Sequence, residues 1–269
     1  MAEYQIVVCG GIVPDPLQTL EPVSTADGFG LKNEAMLPNV LDPWATSALF
    51  EAAHLAEKNP GSKVYLVTAA PKAKLQEVMM TIGQKVPFEL IVTDCPAGGF
   101  TESEDVAKLL AESIKAIPSL DRSKLLIFGG WESASRCSGS TLQILGELLD
   151  ITEQFQGIDS LTTTEDGRFD ILERIEGGLH QSSTLDELPA VFGWATGELP
   201  VPPNNPKIGM LNMRGIMASM QKSKPSKLTR EDLEFINAEV PKATRETRVV
   251  KDMSTDDIAK EIVAWLKEE

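Results

Sequence analysis

The chain predicts an α/β fold: a doubly wound, mostly parallel sheet with antiparallel edge strands and a C-terminal arm. Two observations carry that expectation. Short apolar runs at 5–9, 63–68, 88–93 and 125–128 alternate with stretches of helical spacing. Strands alternating with helices at this interval form βαβ units, whose crossovers are right-handed. After Asp150 the alternation stops. Residues 157–164 and 168–175 then flank an Asp166-Gly167 hairpin turn, which places antiparallel strands at one edge of the sheet.

Each element has a local reason. Gly10 and Gly11 end the first strand, and Val13-Pro14-Asp15-Pro16 must be extended or turning. Asp27-Gly28 signals a turn, with a hairpin as one option. Asp42 caps the first helix and Pro43 takes its first position. Ala48, Leu49, Ala52, Leu55 and Ala56 give it an apolar stripe, with His54 off that stripe, and Asn59-Pro60-Gly61 stops it. The second helix covers 73–82. Thr101 or Ser103 opens the third, with Val106, Leu109, Leu110, Ile114 and Ile117 in register. Phe169, Ile171 and Ile175 are expected on one face of the hairpin, and 188–194 forms a further core strand. Four prolines in 197–207 exclude regular structure there. Residues 211–221 are helical, and their methionines (with Met210, Met213, Met217 and Met220 in a stripe) suit either core packing or an adaptable contact surface. Lys222, Lys224, Lys227 and Arg230 make a local basic patch, a solvated face. Ser254 to Asp257 resembles a capping box, and Ile258, Ile262, Trp265 and Leu266 give the last helix an apolar stripe that must cover its own domain or a partner subunit. The expected division is an α/β domain over 1–229 and an arm over 230–269.

The stretch 124–150 carries the chemistry. An apolar strand ends at Gly129-Gly130. A loop of small hydroxyls follows, with Ser133, Ser135, Ser138, Gly139, Ser140, Thr141 and one cation, Arg136. A helix then begins near Ser140, marked by Leu142, Leu145, Leu148 and Leu149. Strand, small-residue turn and helix N-terminus present free N–H groups and a positive dipole end to an anion, and a phosphate fits. The loop is neither a P-loop nor a G-x-G-x-x-G fingerprint. The competing reading is an ordinary βα turn with a serine cap.

Composition excludes some classes. A formal net charge of −15 argues against nucleic acid and anionic membranes as partners. No run of 18 apolar residues occurs. The first residues run into a strand without a basic region or cleavage site, and Cys9, Cys95 and Cys137 are an odd, widely spaced set; both predict a cytoplasmic chain with reduced thiols. Two histidines cannot build a zinc-like cluster.

Several stretches, taken in order, resemble the β subunits of electron transfer flavoproteins. Gly11-Ile12-Val13-Pro14-Asp15 matches the family's Lys-x-Val-Pro-Asp-like turn except for the lysine. Asp42-Pro43-Trp44-Ala45-Thr46 stands for its Asn-Pro-Phe-[Asp/Cys]-Glu, and Thr68-Ala69-Ala70-Pro71 for its Ser-Cys-Gly-Pro. Glu173-Arg174-Ile175-Glu176-Gly177-Gly178-Leu179 is close to its Arg-Glu-Ile-Asp-Gly-Gly-Leu, Leu188-Pro189-Ala190-Val191 matches outright, and Ile216-Met217 is followed by lysines as in the family. One loop departs: Ser135, Arg136 and Cys137 stand where the family carries an acidic run, and Ser140 and Leu142 replace a Gln and a Gly, while Thr141 keeps its threonine.

The resemblance implies a Rossmann-like, adenine-nucleotide-binding domain and an electron-carrying subunit without bond chemistry of its own. It implies a heterodimer with an α subunit, a FAD shared with that subunit, and AMP, or a second FAD in members that bifurcate electrons. A dehydrogenase would donate electrons and a quinone oxidoreductase-type acceptor would take them. Carried onto this sequence, Cys9, Gly10, Asp42, Ala69, Gly130, Ser135, Arg136, Cys137, Ser138, Gly139, Ser140 and Thr141 would surround the nucleotide. Trp44 would edge the flavin, and Leu199 and Val201 in 197–203 would dock the dehydrogenase. The alternatives are an adenine-nucleotide-binding hydrolase or ligase, against which the missing lysine counts, and a stress-type binding module.

Overall fold

The computed structural model describes residues 3–25, 28–99, 101–228, 239, 247 and 249–267. Residues 1–21 and 31–235 group as one compact unit, and residues 22–30 and 236–269 as another. The expected domain boundary at 229/230 and Arg230 of the basic patch lie outside the described residues, as does Asp27 of the predicted turn.

The larger unit is built on an eight-stranded, mostly parallel sheet. Its strands are β1 (Gln5–Cys9), β6 (Lys63–Ala70), β7 (Glu89–Asp94), β8 (Leu125–Gly130), β9 (Glu153–Thr163), β10 (Phe169–Arg174), β11 (His180–Leu185) and β12 (Ala190–Trp194). The order across the sheet is β11-β10-β9-β12-β8-β1-β6-β7. All pairs from β9 to β7 are parallel, and β10 runs antiparallel to both its neighbours. β2 (Ile12–Pro14) and β5 (Asn39–Leu41) pair beside it as a small antiparallel sheet.

Alternation along the strands sends side chains to two cores. Ile6, Val8, Leu66, Leu126, Phe128 and Phe192 face one, with α1 (Pro43–Lys58), α2 (Lys72–Ile82) and α5 (Pro206–Lys222). Val7, Val67, Leu125, Ile127 and Val191 face the other, with α3 (Ser103–Lys115) and α4 (Thr141–Leu148). Central strands covered on both faces read as continuous apolar runs. Among the described residues no helix is long and apolar enough to cross a membrane.

The helix starts follow from their sequences. The Asp42 carboxylate accepts the Trp44 N–H at 3.1 Å, with Pro43 behind it. The first turn of α2 has no side-chain cap of its own; Lys72 N–H instead donates to the Asp94 carboxylate at 2.9 Å, from the end of the next strand. Asn205 caps α5 through Lys207 N–H.

Three details differ from expectation. The core strand at 190–194 inserts between β8 and β9, so β9 is itself a parallel strand and begins four residues before 157. Ile175 is 44% exposed, away from the buried face of Phe169 and Ile171. β10 has ended at Arg174 by then, and Ile175 leads into a 3-10 turn, Glu176–Gly178, outside the strand's alternation. The methionine stripe also splits. Asn212, Ile216 and Met220, spaced by four, form the buried line of α5, and Met210, Met213 and Met217 lie on its exposed flank. Asn212 Nδ2 donates to the carbonyls of Gly83 (2.8 Å) and Val86 (2.7 Å), fastening the helix to the turn after α2.

In the smaller unit β3 (Pro22–Thr25) and β4 (Gly28–Leu31) pair as a two-stranded sheet. Its helix α6 (Thr255–Trp265) is capped by Ser254, whose hydroxyl accepts the Asp257 N–H at 3.3 Å and donates to the Asp257 carboxylate at 2.7 Å. The Asp257 carboxylate thus meets the Ser254 hydroxyl, where a full capping box would have it accept the Ser254 backbone N–H. Ile258, Ile262, Trp265 and Leu266 are 43% to 73% exposed.

Candidate functional site

The register brings three strand ends level: Cys9 lies opposite Val67 on β6 and Gly129 on β8. Gly10 N–H continues the ladder to the Val67 carbonyl at 3.1 Å. A side chain is excluded by backbone at Gly130 and would have to displace the end of Leu41 at Gly10. A Cβ on Gly10 would stand 2.7 Å from Leu41 Cδ1, and one on Gly130 would stand 2.7 Å from both the Glu132 carbonyl oxygen and Trp44 Cβ. The start of α1 therefore sits directly against the end of β8.

Asp42 joins the two pieces. One carboxylate oxygen caps α1, and the other accepts the Ala134 N–H at 2.8 Å from the loop after β8. Burial pushes its carboxyl up from the ordinary value of 3.8; the bonds from Ala134, Trp44 and Ala45 oppose that, and Glu132 adds to it.

The loop is held by its own hydroxyls. Cys137 N–H donates to the Ser133 carbonyl at 2.9 Å and Arg136 N–H to the Ser133 hydroxyl at 3.2 Å. The Ser133 and Ser135 hydroxyls lie 3.3 Å apart. Cys137 (φ 52°) and Gly139 (φ 62°) take left-handed backbone, which turns the chain toward α4. Ser140 precedes α4 without any side-chain cap bond; its hydroxyl donates to Ser138 at 3.4 Å instead. The serine cap of the competing reading is thus not formed at Ser140, and the first N–H groups of the helix have no side-chain acceptor from it.

Arg136 is the distinctive group. It is half-buried, and its Nε and Nη1 are shielded from solvent without a hydrogen-bond partner. Burial pulls its pKa below the ordinary guanidinium value, while Glu102 opposes that change. Buried, unpaired donors of this kind are costly and ask for an acceptor.

The other expected residues fall into three sets. Gly10, Asp42, Trp44, Gly130 and the 133–141 loop come together as described. Cys9 and Ala69 are buried with the α3–α4 core, and burial pushes the Cys9 thiol up to about 12, so they supply shape and backbone and no reactive side chain. Leu199 and Val201 belong elsewhere, on the segment after β12 that packs along α1. Sequence reasoning missed Glu102 and Ser103 as neighbours of the site: the Ser103 hydroxyl meets Ser138 at 3.0 Å. Crossover topology carries that signal, because a helix following a parallel strand begins at the same sheet end as its neighbour. Among the described residues no three His, Cys, Asp or Glu side chains group to hold a metal ion.

No known protein family and no curated protein matches this chain. The geometry itself admits an anionic, oxygen-rich ligand. Donors dominate the loop: hydroxyls of Ser133, Ser135, Ser138, Ser140 and Thr141, and a guanidinium without a partner on two of its nitrogens. The Asp42 carboxylate already accepts two backbone N–H groups, and Glu132 and Glu102 are the other carboxylates whose charge reaches the cluster.

Proposed function

We propose that this chain is the β-type subunit of a heterodimeric electron transfer flavoprotein, binding AMP in its own site and one wall of a FAD held with an α subunit. The observation that carries the reading is the half-buried Arg136, whose Nε and Nη1 are shielded without a hydrogen-bond partner in a hydroxyl-rich loop before α4. Helices on both faces of the sheet, and the ligand crevice that such sheets have at strand carboxyl ends, support a doubly wound, Rossmann-like assignment. The residues fit a phosphate ester: Arg136 would supply a charge-assisted contact, Ser138, Ser140 and Thr141 hydroxyl donors, and the glycines at 10 and 130 close approach of backbone. Bound FAD would supply the one-electron and hydride chemistry. This chain would position it, with the half-buried Trp44 as an aromatic edge. A dehydrogenase would donate to the complex and a quinone oxidoreductase-type protein would accept.

The test is to denature the purified complex and separate the released nucleotides by chromatography. One FAD and one AMP support the reading. Two FAD move the chain to the bifurcating class, and AMP without flavin moves it to a stress-type binding module. Arg136→Ala is expected to weaken AMP binding about 10- to 100-fold, the worth of a hydrogen bond to a charged group; AMP retained at wild-type affinity in the variant would remove Arg136 from the site.

The exposed stripe of α6 gives a second expectation. A helix with Ile258, Ile262, Trp265 and Leu266 uncovered suits burial on the α subunit. Deleting residues 250–269 is expected to weaken heterodimer assembly at least tenfold in analytical ultracentrifugation. Unchanged assembly in the truncated chain would exclude the helix from the interface.

A further inference from the structure

The two edges of the large sheet are finished differently. At one, the segment after α5 lies across the end of β7: Ser226 N–H donates to the Asp94 carbonyl at 2.7 Å, and Pro225 forms a bridge with Asp94. At the other, β11 ends the sheet order with no strand beyond it. Edge strands are ordinarily blunted by charged residues, proline or a bulge. β11 reads His-Gln-Ser-Ser-Thr-Leu and pairs with β10 in unbroken register, so it carries none of these.

The hydrogen-bond phase of this edge is fixed. Ile175 N–H donates to the Leu179 carbonyl at 3.1 Å, and steps of two from that pair put Gln181, Ser183 and Leu185 on bonds to β10. On the other side of β10, Thr164 N–H donates to the Arg168 carbonyl at 2.9 Å, which sets the same phase. The backbone N–H and C=O groups of His180, Ser182 and Thr184 therefore point outward, and all three residues are exposed. The acids of β10 beside them are occupied: the Thr184 hydroxyl donates to Asp170 at 3.0 Å and the Ser183 hydroxyl to Glu173 at 3.4 Å. Leu179, just before the strand, is 63% exposed, and alternation places it on the side of the sheet where Leu185 enters the core.

We infer that β11 pairs antiparallel with β11 of a second copy of this chain, about a two-fold axis at Ser182. Of the two-fold registers, this one alone matches every outward group of one β11 to an outward group of the other: His180 to Thr184, Ser182 to Ser182, Thr184 to His180. It also sets Leu179 opposite Leu185 of the second copy and Gln181 opposite Ser183, with no like charges facing each other. The edge is thus its own complement, as a two-fold contact requires. A single strand edge is a small contact, so the association is weak and depends on concentration. It holds whether or not each copy carries another subunit, and so is independent of the electron-carrier reading.

The experiment uses the full purified chain, together with any subunit that purifies with it. Ser182→Cys and Ser183→Cys variants are oxidised gently, and the disulfides are mapped by peptide mass spectrometry. In the paired edge the two copies of position 182 stand about 5.5 Å apart, within disulfide reach, whereas the two copies of position 183 lie on a diagonal of about 8 Å, beyond it. Cross-linking at position 182 is expected to be about tenfold faster or more. Ser182→Pro removes an outward N–H that β10 does not use, so the fold is kept, and self-association in sedimentation velocity is expected to weaken about tenfold or more. Equal cross-linking at the two positions overturns the proposal, and so does Ser182→Pro self-association equal to that of wild type. A wild-type particle that keeps one copy at the highest soluble concentration also overturns it, including one in which another subunit protects the amides of His180, Ser182 and Thr184 from hydrogen exchange.

Discussion

Phe192→Ala is expected to lower the unfolding free energy by about 3–5 kcal/mol, the range for emptying a fully buried aromatic site. Phe192 is completely buried on β12 and touches aromatic rings on two other strands. Its centroid lies 5.4 Å from that of Phe128 on β8, edge-on, and 5.7 Å from that of Phe155 on β9, stacked. Trp194, two residues along, meets the same Phe128 ring at 5.3 Å. Such pairs add to area burial, roughly 0.5–1.5 kcal/mol each. The site also resists collapse, because β12 is bonded on both sides and its neighbours cannot close on the void. Phe192→Leu should cost less, on the order of 1–2 kcal/mol, since most of the volume stays filled. Urea titration of both variants gives the numbers. A loss under about 1 kcal/mol for the alanine variant would mean that this cluster is not close-packed.

Asp42→Ala should cost about 2–3 kcal/mol, and its effect should depend on pH. One part is the lost cap on α1; the other is the Ala134 N–H left without its acceptor, which frees the loop before α4. The sign of the pH effect follows from the raised carboxyl. Because its folded value lies above 3.8, the proton binds the folded state more tightly. The stability linked to that proton is fully present below the unfolded value and is lost as pH rises through the folded one. Asp42→Asn cannot titrate, so its cost relative to wild type should be greatest in acid and shrink toward neutral pH. Asp159 runs the opposite way. Burial pushes its carboxyl up, yet bonds and charges from Arg174 and His180 outweigh that and hold it below 3.8. Its contribution is present above the unfolded value and lost as pH falls through the folded one. Stability curves of Asp42→Asn and wild type from pH 3 to 7 that stay parallel would remove Asp42 as the source.

Local rules carried much of this fold. The run Gln5–Cys9 was legible to the residue because two glycines follow it and nothing polar interrupts it. The α1 start was legible because Asp42-Pro43 meets two independent demands of a helix N-terminus. The hydroxyl loop was legible as a loop, from its small residues. Non-local facts were hidden. Nothing near residues 190–194 says that they slot between β8 and β9, because strand order is set by packing across the whole sheet. Ile175 was misplaced because alternation was extended past the last paired residue. The competing reading of a plain turn with a serine cap is not met at Ser140, which precedes α4 without a side-chain cap bond. The charge that acts on Arg136 was hidden too, because Glu102 at the start of α3 comes from a different crossover.

The place of β12 has a consequence for the order in which the molecule can be made. As the chain leaves the ribosome, β1, β6, β7 and β8 can assemble once residue 130 has emerged, and the resulting half-sheet has β8 as an open edge. β9, β10 and β11 can form a meander of their own, but its other border, β9, also waits for β12. Until residue 194 is free, two apolar, unpaired ladders stand side by side, the arrangement most prone to joining with other chains. One five-residue strand then closes both. A chain interrupted before Ala190 lacks the one strand that pairs with both β8 and β9.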